Sequence, residues 1–225
     1  MKNKCALILT GGRMDKELVS HYFHLLSQEF QVIVIAVDKG LMAADALSIP
    51  IDYLVGDFDS LSPELLDKYM DKKKQEEEFE ILEFNPVKDA TDTQIAIELA
   101  IKLKVKEMVI FGATGTRMDH TLGNIHMLLL PLKEKIKAFI IDTYNKIYLI
   151  DQNTTLSKSE LYGDFLSLLP FTDVVEGITL TGFKYPLTNK RYSTGDSLGI
   201  SNEVIEKQSH ILLKSGILIV IESKD

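Results

Sequence analysis

Cys5 is the only cysteine in the chain, so no intramolecular disulfide and no cysteine-rich zinc site can form. Tryptophan is absent altogether. No stretch approaches the roughly eighteen apolar residues of a membrane span. The short apolar run at 5–10 follows two lysines but stops at Gly11-Gly12-Arg13, too soon for the core of a secretory signal. Membrane residence is therefore excluded and a cytoplasmic protein is expected. Positive charge is in deficit, 25 Lys and Arg against 33 Asp and Glu, a net of −8. That excludes a broad basic face for nucleic acid or anionic lipid. Nucleotides stay open, because a metal ion can sit between phosphates and carboxylates. The phosphate-binding G-K-[ST] and G-x-G-x-x-G signatures are missing, as are H-E-x-x-H and G-x-S-x-G, which argues against P-loop enzymes, dinucleotide binders, zincins and α/β-hydrolases. No repeat or low-complexity tract occurs.

What is present is an ordinary globular composition, 45% apolar and 26% charged over 225 residues. Short apolar runs at 5–10, 32–37, 52–55, 80–84, 107–111 and 137–141 read as strands. Amphipathic stretches at 16–29, 41–47, 91–103 and 121–130 read as helices. Ser62-Pro63-Glu64 opens a further helix with a cap and a proline at its first position, running into the charged stretch 71–78. This alternation predicts a parallel sheet with helices on its faces. After residue 145 the pattern changes to short strands at 146–150, 164–169, 174–180, 210–213 and 217–222, and Lys214-Ser215-Gly216 reads as the turn of a closing hairpin. The expected fold is thus α/β: an N-terminal parallel-sheet α/β domain over 1–143, followed by a smaller C-terminal all-β domain over 144–225.

In an open parallel sheet, ligands bind beyond the carboxyl ends of the strands. The segments that follow the first five strands are Gly11-Gly12-Arg13, Asp38-Lys39-Gly40, Gly56-Asp57-Phe58-Asp59-Ser60, Lys88-Asp89-Ala90-Thr91-Asp92, and Gly112-Ala113-Thr114-Gly115-Thr116-Arg117-Met118-Asp119-His120. Four of the five carry carboxylates. Two carboxylates about 4 Å apart repel by roughly 4 kcal/mol at an effective dielectric near 20, so such a cluster needs protons or a cation. Oxygen ligands favour Mg²⁺ or Ca²⁺, and Mg²⁺ takes one or two carboxylates plus substrate phosphates. In extended backbone Asp57 and Asp59 share a side, with Phe58 turned toward the core. Gly11, Gly12, Gly112 and Gly115 permit close approach of backbone to phosphate, and Arg13, Lys39, Lys88 and Arg117 supply positive charge. His120 is a further candidate, whereas His21, His24, His126, His210 and Cys5 read as surface or packing residues.

These segments, in this order and spacing, resemble thiamine pyrophosphokinase. So do Gly182-Phe183-Lys184-Tyr185-Pro186-Leu187 and Ile200-Ser201-Asn202-Glu203, and the resemblance covers nearly the whole chain. It implies an N-terminal α/β domain with a C-terminal β-sandwich, in a homodimeric enzyme that moves a diphosphate from ATP to the hydroxyl of thiamine and releases AMP. It implies that Asp57, Asp59 and Asp92 hold Mg²⁺, and that Arg117 and Asp119 act with them in catalysis. ATP would be bound by Gly11, Gly12, Asp38, Lys39, Lys88, Asp89, Thr91, Gly115, Arg117 and His120. Thiamine would be met by Asp119 and Asn124, and by Ser201 and Asn202 of the other subunit. Thr116 stands where the family commonly has glycine, and Lys39 where it has a different residue. With no tryptophan, any aromatic stacking on thiamine falls to tyrosine or phenylalanine.

The physics of phosphoryl transfer makes positioning and charge neutralisation the main contributions, with Asp119 or Asp92 as the candidate base. Rival readings are a related diphosphokinase on another alcohol such as a hydroxymethylpterin, a metal-dependent sugar transferase using Asp57-x-Asp59, and a non-catalytic nucleotide or thiamine sensor.

Overall fold

The structure, a computed structural model, describes residues 2–74, 79–83 and 90–225, with only the backbone of Lys74. The chain divides into two compact units, Met1–Thr143 and Tyr144–Asp225.

The first unit contains strands β1 (Lys4–Leu9), β2 (Gln31–Val37), β3 (Tyr53–Gly56), β4 (Glu80–Glu83), β5 (Glu107–Phe111) and β6 (Lys137–Ile141). They alternate with helices α1 (Lys16–Glu29), α2 (Gly40–Ala46), α3 (Pro63–Lys74), α4 (Asp92–Lys102), α5 (Met118–Met127) and α6 (Leu129–Lys133). The six strands are parallel and ordered β4-β3-β2-β1-β5-β6. Every residue of β1 from Cys5 to Leu9 has no solvent exposure, as a strand covered by helices on both faces requires. Burial pushes the Cys5 thiol up to about 12, so it stays protonated core. Helix α1 starts where Asp15 accepts the amides of Glu17 and Leu18 at 3.0 and 3.1 Å. Helix α3 starts on Ser62, whose hydroxyl accepts the Leu65 amide at 3.3 Å, with Pro63 in the first turn.

Helix α5 starts at Met118, three residues before the apolar pattern predicts, which brings Asp119 and His120 into its first turn. A carboxylate there is favoured by the helix dipole. Among the described residues no helix is long and apolar enough to cross a membrane.

The second unit is all β: β7 (Asn145–Ile150), β8 (Thr154–Ser157), β9 (Phe165–Pro170), β10 (Val174–Thr181), β11 (Leu187–Ser193), β12 (Gln208–Leu212) and β13 (Leu218–Ser223). Strand β13 lies antiparallel between β7 and β9, and a second antiparallel sheet runs β11-β10-β12-β8. Leu166, Leu168, Leu218 and Val220 of the first sheet and Val175, Ile178, Leu180, Tyr192 and Ile211 of the second are buried, which gives the sandwich its core. The hairpin expected at Lys214-Ser215-Gly216 does not form: β12 pairs with β10 and β8, and β13 with β7 and β9, so this turn passes the chain from one sheet to the other. The exchange Lys214 N to Glu176 O and Glu176 N to Ser215 O fixes the turn against β10 instead.

Candidate active site at the switch point of the parallel sheet

The strand order reverses between β1 and β5. Helices leave these two strands in opposite directions along the sheet, and the loops above them part to leave a crevice. A cleft of about 650 Å³ opens there. Its walls include Gly11, Gly12, Asp38, Lys39, Thr91, Asp92, Gly115, Arg117, His120 and Asn124, so ten of the residues singled out in the sequence meet at one place. Asp57, Asp59 and Asp119 are not part of its lining. Lys88 and Asp89 lie outside the described residues. Ser201 and Asn202 belong to the second unit.

Two glycine-bearing loops form the floor. The Gly12 amide donates to Gly112 O at 3.0 Å, and Thr10 donates to Phe111 O through its amide at 2.9 Å and its hydroxyl at 3.1 Å. The loops touch so closely that a Cβ on Gly12 would stand 2.1 Å from Gly112 O. Gly112 itself has φ +72°, a conformation glycine adopts without steric cost. No acceptor among the described residues takes the amides of Ala113, Thr114, Gly115 and Thr116, which leaves four consecutive donors for an anion. Thr116 adopts no left-handed conformation, so its side chain is accommodated where the family commonly has glycine.

The acids are gathered by strained backbone. Asp38 has φ 44° and Phe58 φ 63°, left-handed values that a bulky residue rarely adopts. The Phe58 ring is buried, and its amide lies 3.4 Å from the Asp38 carboxylate. The segment around Phe58 is therefore a turn rather than the extended strand end expected, and the rule that Asp57 and Asp59 share a side does not hold. Asp57 instead accepts the Asp59 amide at 3.2 Å, while Asp59 is exposed. The Asp57 charge is also felt by Asp38, across the turn from it. Burial raises the Asp38 carboxyl to about 6, helped by the charges of Asp92 and Asp57 and by a hydrogen bond with Asp92. Asp92 heads α4, whose cap is Thr91, its hydroxyl accepting the Gln94 amide at 3.2 Å. Among the described residues no three such side chains form a closed metal cage. A Mg²⁺ ion carried on a triphosphate needs only one or two carboxylates. The repulsion among Asp38, Asp57 and Asp92 is what such a cation would relieve, so the donor set fits it.

Because the folded state raises the Asp38 carboxyl above its ordinary value of 3.8, it binds that proton more tightly than the unfolded chain does. Without metal, stability is therefore highest below about pH 4 as regards this group, and falls as pH rises through about 6. Asp38→Asn removes the charge and tolerates the left-handed backbone. Its gain in Tm over the parent, in chelator, is expected to be larger at pH 7.5 than at pH 4.5. Equal gains at both would show that the charge is not the cause.

Arg117 and Asp119 are exposed and paired, Nε to Oδ1 at 3.2 Å and Nη2 to Oδ2 at 2.5 Å. Hydrogen bonding from the guanidinium holds the Asp119 carboxyl down at about 2. Asn124 is buried and its Nδ2 donates to Ala113 O at 2.6 Å, so it supports the glycine loop from α5. Asn202 is equally occupied: its Oδ1 accepts the amides of Tyr185 and Glu203 at 3.0 and 2.9 Å, and its Nδ2 donates to Tyr185 O at 2.9 Å. Together with the Lys184–Glu203 pair at 2.6 Å, it ties the two distinctive segments of the second unit to each other. Ser201 is exposed at φ 55° and is the hydroxyl this segment presents. Sequence reasoning missed Thr10, Thr114 and Asp142. The Thr114 hydroxyl donates to Asp142 Oδ2 at 2.7 Å. Asp142 follows β6, and the strand-end rule extended to that sixth strand points to it.

Residues 23–140 match the thiamin pyrophosphokinase catalytic domain, and residues 153–218 match its vitamin B1 binding domain. A thiamine pyrophosphokinase of Bacillus subtilis (strain 168) is 36% identical over 193 residues, 85% of this chain and 87% of that protein. A crystal structure of thiamine pyrophosphokinase from Bacillus subtilis superposes with a TM-score of 0.84 at 31% identity, covering 99% of each chain. One from Geobacillus thermodenitrificans gives 0.81 at 29%, covering 99% of this chain and 98% of that one. With both domain matches falling on the two units described above, the chain belongs to the thiamine pyrophosphokinase family.

Proposed function

We propose that the chain transfers a diphosphate from ATP to the hydroxyl of thiamine, giving thiamine diphosphate and AMP, in the cytoplasm. The observation that carries this reading is the meeting of Asp38, Asp92 and the unpaired amides of the 113–116 loop in one cleft at the switch point. The amides bind phosphate oxygens, and Lys39 and Arg117 add charge from the rim. Attack falls on the β-phosphorus, with AMP leaving. Asp57, Asp59 and Asp92 would hold Mg²⁺, with Asp38 beside them, and the ion supplies charge neutralisation on the phosphates. The protein's part is to fix the two substrates in line, which is where most of the rate gain of such reactions arises. Asp119, held at about 2 by its partner, is a weak base. Asp92 is the other candidate acceptor for the alcohol's proton, and a loose transition state asks for that transfer only late.

In this reading the enzyme is a homodimer in which Ser201 and Asn202 of one chain complete the site of the other. Exposed Leu198, Ile200 and Ile205 flank these residues and favour a covered face. Light scattering should give the mass of two chains.

With ATP, thiamine and Mg²⁺ the protein is expected to form AMP and thiamine diphosphate one for one, and to stop on chelation. ADP as the stoichiometric product, or equal turnover with a hydroxymethylpterin in place of thiamine, would overturn the reading.

A further inference from the structure

We propose that Asp142 is a positioning residue for the diphosphate transfer, acting through Thr114: it pins the loop between β5 and α5 and commits the Thr114 proton. The proposal rests on the functional reading above.

Among the described residues, three ties hold the 112–114 part of this loop. Gly12 N donates to Gly112 O at 3.0 Å, Asn124 Nδ2 to Ala113 O at 2.6 Å, and Thr114 Oγ1 to Asp142 Oδ2 at 2.7 Å. The first two consume carbonyl oxygens and anchor the loop from β1 and α5. The third anchors it from the end of β6, at a length typical of a hydroxyl bonded to a carboxylate. All three leave the loop's amides unspent. A phosphate site needs that arrangement, since a loop free to turn over would offer carbonyl oxygens to the anion.

The third tie does more than hold. A hydroxyl has one proton and two lone pairs. The Asp142 carboxylate accepts the proton, so Thr114, which lines the cleft, can meet a ligand only as an acceptor. Phosphate oxygens are acceptors too and gain nothing from it. What Thr114 can receive is an O–H or N–H, from the nucleoside or from the alcohol to be phosphorylated. The loop thus divides its work: amides for phosphate, the Thr114 oxygen for a donor. Without Asp142 the hydroxyl is free to turn its proton onto a phosphate and draw it out of line.

The test uses the full chain. Asp142→Ala and Thr114→Val each remove the bond, while Asp142→Asn and Thr114→Ser keep a partner for it. Turnover (kcat and KM for both substrates) and the Kd of Mg–ATP are measured together with Tm. Asp142→Ala is expected to lower kcat/KM about tenfold, the scale of a lost hydrogen bond to a charged group, and Thr114→Val at least as much, because it also removes the oxygen that meets the substrate donor. The double variant should be no worse than Thr114→Val alone, because that change already removes the bond through which Asp142 acts. Thr114→Ser and Asp142→Asn should recover most of the loss. A rise in KM for ATP assigns the donor to the nucleoside, and a rise in KM for thiamine assigns it to the alcohol. Losses that multiply in the double variant, or a wild-type kcat/KM in folded Thr114→Val, would overturn the proposal, and Thr114→Val serves if Asp142→Ala fails to fold. A parent protein that binds Mg–ATP but makes no AMP would refute the proposed function alone. The Kd series would then still decide whether Asp142 positions the loop.

Discussion

Asp92→Asn is expected to lower kcat by at least about a hundredfold while the protein stays folded. Removing one preorganised charge from a phosphoryl-transfer site typically costs that much. The structural cost is small because two effects oppose. The substitution loses a favourable interaction with the first turn of α4, about 0.3–1 kcal/mol. It also relieves repulsion with Asp38, whose carboxyl the Asp92 charge helps to raise. Tm should therefore hold or rise slightly. Asp57→Asn should share the kinetic loss, because its charge reaches Asp38. Asp59 is exposed and outside the cleft lining, so Asp59→Asn reports whether its turn re-forms around the nucleotide. AMP release and thermal melts check all three. Near-normal turnover by a folded Asp92→Asn variant would remove Asp92 from the machinery.

Gly12→Ala should be as damaging by another route. The added carbon would lie 2.1 Å from Gly112 O and 2.8 Å from Thr114 O, both backbone atoms that cannot rotate away. The loops after β1 and β5 must separate, the Gly12–Gly112 hydrogen bond goes, and the floor of the cleft opens at the switch point. Misplacement on the scale of 1 Å costs about a hundredfold in a reaction that depends on alignment. Overpacking typically costs about 1–3 kcal/mol, which for a chain of this size lowers Tm by roughly 2–12 °C. Gly115→Ala is the control: nothing stands within 4 Å of its added carbon, so Tm should not move. A Gly12→Ala protein with the parent's Kd for Mg–ATP would show that these loops do not form the phosphate site.

The parallel sheet was legible because strands covered on both faces must be apolar throughout, as 5–9 and 33–37 are. The strand-end rule then located the cleft without a side-chain coordinate. Strands β8 and β11 were not legible. In β11 only Tyr192 is buried, and its pairing with β10 slips between Val175 and Leu180, so no alternation survives in the letters. The false hairpin has a related cause: a tight turn is a local signal, whereas β12 and β13 choose partners tens of residues away. Within the site, residue types carried the chemistry but not the pairings. With Phe58 in a left-handed conformation, Asp57 accepts the Asp59 amide, and its charge also reaches Asp38. Asn124 and Asn202 look like ligand-binding amides in the sequence, yet each spends hydrogen bonds on its own chain.

The lone thiol gives the fold a built-in reporter. Cys5 sits in β1, hydrogen-bonded on one side to β2 and on the other to β5, with no exposed surface. An alkylating reagent can reach it only after the middle of the sheet has come apart, and no second cysteine adds background. Its modification rate therefore counts openings of the strand that carries Gly11 and Gly12, not fraying at the edges. In the proposed function a nucleotide seated across the loops after β1 and β5 would hold that strand shut, and the chemistry of one sulfur atom would then read out occupancy of the cleft with no label introduced.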